Sequence, residues 1–156
     1  MTTHSVMPAP VAELVAFYEA LSPHSLPRLR TLYAPQARFK DPFNAVQGVE
    51  AIEQIMAHMF TALEAPRFRV IDCVSQGRQA FVTWDFSFSV RRFRGGQPQC
   101  IHGATQWVFD DTGRVLLHRD YWDAAEELYE KLPLLGALMR ALKAALRTPV
   151  KTASSL

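Results

Sequence analysis

The chain has 156 residues, 49% of them hydrophobic and 21% charged, so it is long enough for one globular domain with a substantial core. A formal net charge of +2, without a basic motif interleaved with aromatics, excludes an obvious nucleic-acid-binding protein. The start lacks a signal-peptide pattern, and no apolar run approaches transmembrane length, so we expect a cytoplasmic protein. Cys73 and Cys100 show no CxxC spacing, so we expect both to be reduced thiols.

The first third of the chain predicts helices after a loose leader, residues 1–8. Apolar residues at helical spacing predict a first helix over about 10–21 and a third over about 49–64. A short second helix between them, over about 26–33, ends before Pro35. Residues 37–42 alternate like a short strand, with Asp41 followed by a proline that keeps its backbone extended.

From Arg67 onward the hydrophobic period changes to two, which predicts strands. We expect strands over about 67–75, 80–93, 99–109 and 114–123, the last three joined by hairpin turns at Gly95-Gly96 and at Asp110 to Gly113. Helices gathered at one end of a mostly antiparallel sheet indicate an α+β fold.

The long strand around Trp84 has one apolar and one polar face. Val82, Trp84, Phe86, Phe88 and Val90 lie on one side, and Phe81, Thr83, Asp85, Ser87 and Ser89 lie on the other. The pattern defines the two faces but not which is inside. Either the aromatics form the core and Asp85 meets water, or the aromatics pack on a second subunit and the polar face lines a wet cavity.

The last strand places His118, Asp120 and Trp122 on one face. A carboxylate on the inner face of a late, half-buried strand needs a partner or a function. It is either a structural Asp that is hydrogen-bonded to a neighbouring strand, or part of a pocket.

The C-terminal stretch predicts a helical extension over residues 126–147 and a tail over 148–156. Asp123 and Glu126 form a capping box, and leucines then recur at helical spacing. No acidic residue follows Lys131. We expect the helix to cover the pocket mouth or a partner subunit, and binding to an anionic membrane surface is the alternative.

Two phrases, Leu32 to Pro42 and His118 to Asp123, together with the order of elements, resemble the nuclear transport factor 2-like superfamily in its SnoaL-like and ketosteroid isomerase-like branch. The resemblance covers residues 9–125. It implies a cone: a strongly curved, mostly antiparallel sheet wrapped around three helices, with a deep pocket for a small hydrophobic molecule. It also implies a homodimer through the outer sheet face.

The resemblance also implies roles for individual residues. Asp41 occupies the place of the ketosteroid isomerase general base, and Tyr18 that of the tyrosine that donates to the oxyanion. Thr105 stands where that family has a protonated Asp, a carboxyl whose pKa is raised by its apolar surroundings. The phrase Arg119 to Asp123 also resembles limonene epoxide hydrolases, in which the first Asp of the phrase belongs to an Asp-Arg-Asp set that activates water. Asp120 matches that Asp. The other two positions fall near Asp85 and Ser87, so the Arg is missing and one Asp is lost, which argues against this mechanism.

These observations predict a site for proton transfer on a hydrophobic carbonyl or polyketide-like compound. The predicted catalytic residues are Asp41, Tyr18 and Asp120, and the predicted substrate-binding residues are Phe43, Asp85, Thr105, Trp107, His118 and Trp122. Structural roles stay open for Asp41 as a turn residue, Tyr18 as a core tyrosine and His118 as a core histidine. The five histidines show no metal-binding spacing, so we predict no metal and no cofactor. A non-catalytic ligand-binding or dimerisation module is the alternative function.

Overall fold

The computed structural model describes residues 7–90 and 96–124. Its helices are α1 (Ala9–Glu19), a 3-10 helix (Pro23–Arg28), α2 (Leu29–Leu32) and α3 (Val49–Ala62). Its strands are β1 (Tyr33–Lys40), β2 (Ala45–Gln47), β3 (Glu64–Gln76), β4 (Gln79–Ser89), β5 (Gln99–Phe109) and β6 (Val115–Tyr121). The order of helices followed by a strand meander is the predicted order, with β2 as an addition.

The six strands form one sheet in the order β2-β1-β6-β5-β4-β3. All neighbours are antiparallel except β1 and β6, which are parallel. The parallel pair places Phe39 of β1 beside His118 of β6. The predicted α+β class is therefore confirmed: the helices lie in the first half of the chain and the sheet is mostly antiparallel.

Two details of the first half differ from the sequence prediction. β1 begins at Tyr33 rather than Ala37, because Tyr33 pairs with Val115 and a register shift follows before Arg38. Apolar residues at helical spacing had extended the second helix over Tyr33. β2 is only three residues long and partly exposed, so it lacks the alternation that predicts a strand.

The structure decides between the two orientations of β4. Val82, Trp84, Phe86 and Phe88 are buried within their own chain, whereas Phe81, Thr83 and Ser87 are exposed. The prediction that this aromatic row packs on a second subunit is therefore wrong. The reason is that α1 and α3 supply enough apolar surface to cover the row from inside.

The core lies between the helices and the inner face of the sheet. Leu14, Phe17 and Tyr18 of α1 and Ile52 and Met56 of α3 belong to the same buried cluster as the sheet's inward side chains. Each large apolar side chain buried in this way stabilises the fold by about 1.5–3 kcal/mol. Thr105 of β5 and His118 of β6 lie on the same inner face, so the core also encloses these two polar side chains.

The residues of the predicted helical extension, 126–147, and of the tail, 148–156, lie outside the described part of the chain. By internal contacts the chain divides after Trp122, and the first unit holds every helix and strand given above. In the described ranges, no helix is long and apolar enough to cross a membrane. Cys73 and Cys100 are not joined by a disulfide, and their reduced state in the cell stays a prediction.

The turn between β5 and β6 depends on Asp110. One carboxylate oxygen accepts hydrogen bonds from the Thr112 hydroxyl at 2.6 Å and from the backbone N–H groups of Thr112 and Arg114, each at 2.9 Å. These donors, the Thr112 hydroxyl first, lower the pKa of Asp110 to about 2. The ionised carboxylate therefore stabilises the hairpin that leads into β6.

We expect Asp110→Asn to lower the stability of the protein at neutral pH. The folded-state pKa lies below the unfolded value of about 3.9, so this contribution is complete above about pH 4 and is lost as the pH falls towards 2. Urea unfolding of both proteins between about pH 6 and 2.5 measures it. A stability difference that stayed constant across this range would contradict the assignment to the charged form.

Candidate functional site

The candidate site is built on the inner face of β6, where His118 and Asp120 point into the core. His118 is buried at 3% exposure, and the Asp120 side chain keeps 16%. Antiparallel pairing places Trp107 opposite His118 and Thr105 opposite Asp120. Strand register alone therefore brings four polar side chains together within an apolar core.

Two tyrosines extend this group towards the helices. The Tyr33 hydroxyl lies 2.7 Å from His118 Nδ1 and 2.6 Å from the hydroxyl of Tyr18 on α1. The Trp107 indole N–H donates to the same Nδ1 at 3.2 Å. An indole N–H can only donate, so Nδ1 is an acceptor and the ring proton of His118 lies on Nε2.

The protonated Nε2 of His118 donates to Asp120 Oδ1 at 2.9 Å. The Thr105 hydroxyl donates to the same oxygen at 2.5 Å and accepts the Trp84 indole N–H at 2.8 Å. No residue in the described ranges donates to the other oxygen, Oδ2. Within the described ranges, Asp120 is therefore held through one oxygen, Oδ1.

A glycine on β5 makes room for the indole of Trp84. A Cβ added at Gly103 would lie 2.4 Å from Trp84 Cη2, which is closer than such atoms approach in proteins. Gly103 pairs directly with Trp84 across the two strands. The ring can therefore lie flat against the sheet, with its N–H directed at Thr105.

Burial determines the ionisation state of the two tyrosines. Removal from water raises the pKa of both hydroxyls well above the usual range, and the nearby Asp120 charge raises them further. Both are therefore neutral hydroxyls at physiological pH. Each can donate one hydrogen bond and accept others.

Part of the network lines a small cavity of about 20 Å³. Its lining consists of Tyr18, Met56, Phe68, Val70, Trp84, Thr105, His118 and Asp120. This volume is enough for about one water molecule. Binding of anything larger requires lining side chains to move.

A larger open cleft of about 400 Å³ lies elsewhere, beside the β3–β4 and β5–β6 turns and the start of α1. Its charged lining includes Arg78 and Asp111, which form an ion pair. It contains none of the residues of the buried network.

Comparison with known proteins places the chain in a family. The model of the SnoaL-like domain matches residues 14–118, which is more than half of the chain. The chain belongs to the SnoaL-like domain family. The match covers Tyr18, Tyr33, Thr105, Trp107 and His118 and ends two residues before Asp120.

Solved structures resemble this SnoaL-like chain in fold. A protein of ketosteroid isomerase-like fold from Catenulispora acidiphila, in complex with trimethylamine, is 17% identical with a TM-score of 0.66, over 79% of this chain and 92% of that one. A candidate SnoaL-like polyketide cyclase from Jannaschia is 17% identical with a TM-score of 0.65, and the match covers 93% of this chain and 99% of that one. An LEH-like epoxide hydrolase from M. tuberculosis is 15% identical with a TM-score of 0.64, and the match covers 85% of this chain and 95% of that one. No curated protein sequence matches the chain.

The structure brings together five of the nine site residues predicted for this SnoaL-like chain: Tyr18, Thr105, Trp107, His118 and Asp120. It does not bring Asp41 to the cavity. The Asp41 carboxylate accepts the backbone N–H groups of Phe43 at 2.7 Å and Asn44 at 2.5 Å. These are the contacts of a turn residue.

The two predicted aromatic ligand contacts also lie apart from the cavity. Phe43 is 55% exposed, and its ring packs edge-on against Trp122 with centroids 5.5 Å apart. β6 ends at Tyr121, so Trp122 no longer follows the alternation that placed it beside Asp120. The prediction that both line one cavity with Asp120 is corrected accordingly.

The placement of Asp85 in the pocket is also corrected, because this side chain lies on the outer sheet face. Arg69 Nη2 and His102 Nδ1 each lie 2.5 Å from one of its carboxylate oxygens. The Arg69 hydrogen bond and then that of His102 hold the pKa of Asp85 below its usual range. The inner face of β4 instead contributes Trp84.

Sequence reasoning missed Tyr33 and Trp84 as members of this SnoaL-like site. Tyr33 had been assigned to a helix, although it begins the strand parallel to β6. For Trp84 a signal existed: it shares a β4 face with four other apolar side chains, so an inward β4 places its N–H in the core, where it needs an acceptor.

Proposed function

We propose that the protein is a general acid–base enzyme that transfers a proton on a small hydrophobic carbonyl or polyketide-like compound, with Asp120 as the base. The observation that carries the proposal is the state of the Asp120 carboxylate. Its Oδ1 is held by His118 and Thr105, and its Oδ2 has no donor in the described ranges, at an apolar cavity. A general base needs one oriented and accessible lone pair.

The neighbouring groups supply orientation and a proton donor. His118 and Thr105 fix the carboxylate, so that Oδ2 accepts a proton from the carbon beside a carbonyl. Tyr18 lines the same cavity and is the donor for the developing oxyanion. The Tyr33 hydroxyl can switch its donated hydrogen bond from His118 Nδ1 to the Tyr18 hydroxyl oxygen, since both acceptor atoms lie within 2.7 Å of it. That switch releases the Tyr18 proton for the ligand, while Trp107 continues to donate to Nδ1.

Ligand entry in this proposal requires the wall between α3 and β3 to open. Met56, Phe68 and Val70 form the apolar part of the lining on that side. Phe68 and Val70 are partly exposed, and methionine is a flexible side chain, so these residues can be displaced without unfolding the sheet.

A non-catalytic role is the second candidate, and the cavity volume favours it. About 20 Å³ leaves no space for a carbonyl compound, and the hydrogen bonds of the network can hold a core together without a reaction. In that case the fold serves as a dimerisation module, or as a binding module whose lining side chains move to admit the ligand.

The homodimer through the outer sheet face stays a prediction, but the residues that would form it change. The outer face exposes Val74, Phe81 and Tyr121 at 67%, 45% and 43%. Val74 and Phe81 are direct cross-strand neighbours. Sedimentation of the wild-type protein measures the oligomeric state.

The proposed activity is tested by exchange of protons with D₂O. A panel of hydrophobic ketones and β-dicarbonyl compounds is incubated with the protein, and deuterium uptake beside the carbonyl is followed by mass spectrometry. We expect faster uptake in at least one compound than in buffer alone. Thermal stabilisation by a compound that shows no exchange would favour the binding module instead.

A further inference from the structure

The outer face of the sheet carries a second group of polar side chains, separate from the buried network. Asp85 of β4 is the direct cross-strand neighbour of His102 of β5, and Ser87 is the neighbour of Cys100. Cys100 and His102 are two residues apart on one strand, so their side chains project from the same face. Strand register therefore places a carboxylate, a thiol and an imidazole side by side.

The distances within this group are close to those of a metal site. One ligand atom each from Asp85, Cys100 and His102 lies within 4.8 Å of the other two. In a tetrahedral zinc site the bond lengths to sulfur, nitrogen and oxygen correspond to about 3.3–3.6 Å between ligand atoms. Small side-chain rotations close that difference, and the His102 side chain, 69% exposed, is not confined by the core.

We propose that Asp85, Cys100 and His102 bind a zinc ion on the outer sheet face. Thiolate, imidazole and carboxylate are the three ligand types of protein zinc sites, and three protein ligands leave the fourth tetrahedral position to water. The mixture of a soft sulfur with nitrogen and oxygen favours Zn²⁺ over Mg²⁺ or Ca²⁺, which prefer oxygen ligands alone.

The existing contacts of Asp85 are compatible with this site. His102 Nδ1 now contacts Asp85 Oδ1, and both atoms turn towards the ion when it binds. Arg69 contacts the other oxygen, Oδ2, and continues to do so. Arg69 thereby becomes the outer partner that orients the carboxylate, a common arrangement around metal ligands.

This inference does not depend on the proposed function. The ligand set lies on the opposite face of the sheet from Asp120, and neither His118 nor Thr105 takes part. Loss of zinc binding and loss of proton exchange are therefore separable in experiments.

Titration of the full chain with Co²⁺, followed by competition with Zn²⁺, tests the site. We expect one Co²⁺ per chain, with a thiolate-to-cobalt charge-transfer band that Zn²⁺ abolishes. Cys100→Ser should remove the band, and His102→Ala and Asp85→Asn should each weaken binding by roughly tenfold or more, since even outer partners of metal ligands contribute that much.

Two variants serve as matched controls. Cys73→Ser removes the other cysteine, and His58→Ala removes an exposed histidine of α3; both should bind Co²⁺ like the wild type. Circular dichroism shows that each variant is folded before titration. Absence of a charge-transfer band in the wild type, or a band that persists in Cys100→Ser, would overturn the proposal.

Discussion

Replacement of Asp120 by Asn is expected to reduce catalysed proton exchange by about 10²–10⁴-fold, the contribution of a positioned general base. Asn keeps a carbonyl oxygen where Oδ1 accepts from His118 and Thr105, so the surrounding hydrogen bonds persist. Only the basic oxygen is lost. Deuterium uptake into the compound exchanged by the wild type measures the effect.

Asp41→Asn is the matched variant, because it makes the same chemical change at the other carboxylate that sequence reasoning offered as base. Its side-chain oxygen can still accept from the amides of Phe43 and Asn44. We expect exchange close to that of the wild type. The opposite pattern, with activity lost in Asp41→Asn and kept in Asp120→Asn, would assign the base to Asp41.

His118→Leu is expected to cause the largest loss of stability among changes at the site. The change removes the acceptor for Trp107 and Tyr33 and the donor to Asp120 in one step, within a core where His118 is 3% exposed. Each buried polar group that loses its partner costs about 1–3 kcal/mol, so we expect a total of about 3–5 kcal/mol.

For a chain of this length that loss lowers the melting temperature by roughly 10 °C or more. Calorimetry or thermal circular dichroism measures it. His58→Ala, on the exposed side of α3, is the control and should change stability by less than about 0.5 kcal/mol. Equal melting temperatures for His118→Leu and the wild type would show that the network contributes nothing to stability.

Periodicity predicted most of the fold because each element buries one face. The bounds of β5, residues 99–109, agree with the prediction, and β6 differs by one or two residues at each end. Antiparallel register then carries Thr105 and Trp107 to the residues that alternation had already placed on β6. This part of the site follows from the order of strands alone.

Other parts of the site depend on information that no single segment contains. The alternation of β4 cannot show which face is inside; that depends on the helices that cover it. Tyr33 joins the network only through parallel pairing of β1 with β6, which are far apart in sequence. The juxtaposition of Asp85 with His102 is likewise a product of register, so sequence spacing gives no indication of a metal site there.

The volume of the cavity was also beyond prediction. Strand alternation predicts which side chains face inward, but not how closely they pack. The Phe68 ring stacks on the Phe86 ring with centroids 4.4 Å apart, and it packs edge-on against the Trp84 ring with centroids 5.6 Å apart. Neither ring contact follows from alternation.

A crystal structure with a bound compound from the exchange panel tests the central claim most directly. We predict electron density for the compound between Tyr18 and Asp120, with its reacting carbon beside Oδ2 and with Met56 and Phe68 displaced from their present positions. A compound bound only in the open cleft beside Arg78 and Asp111, with the 20 Å³ cavity unchanged, would contradict the account.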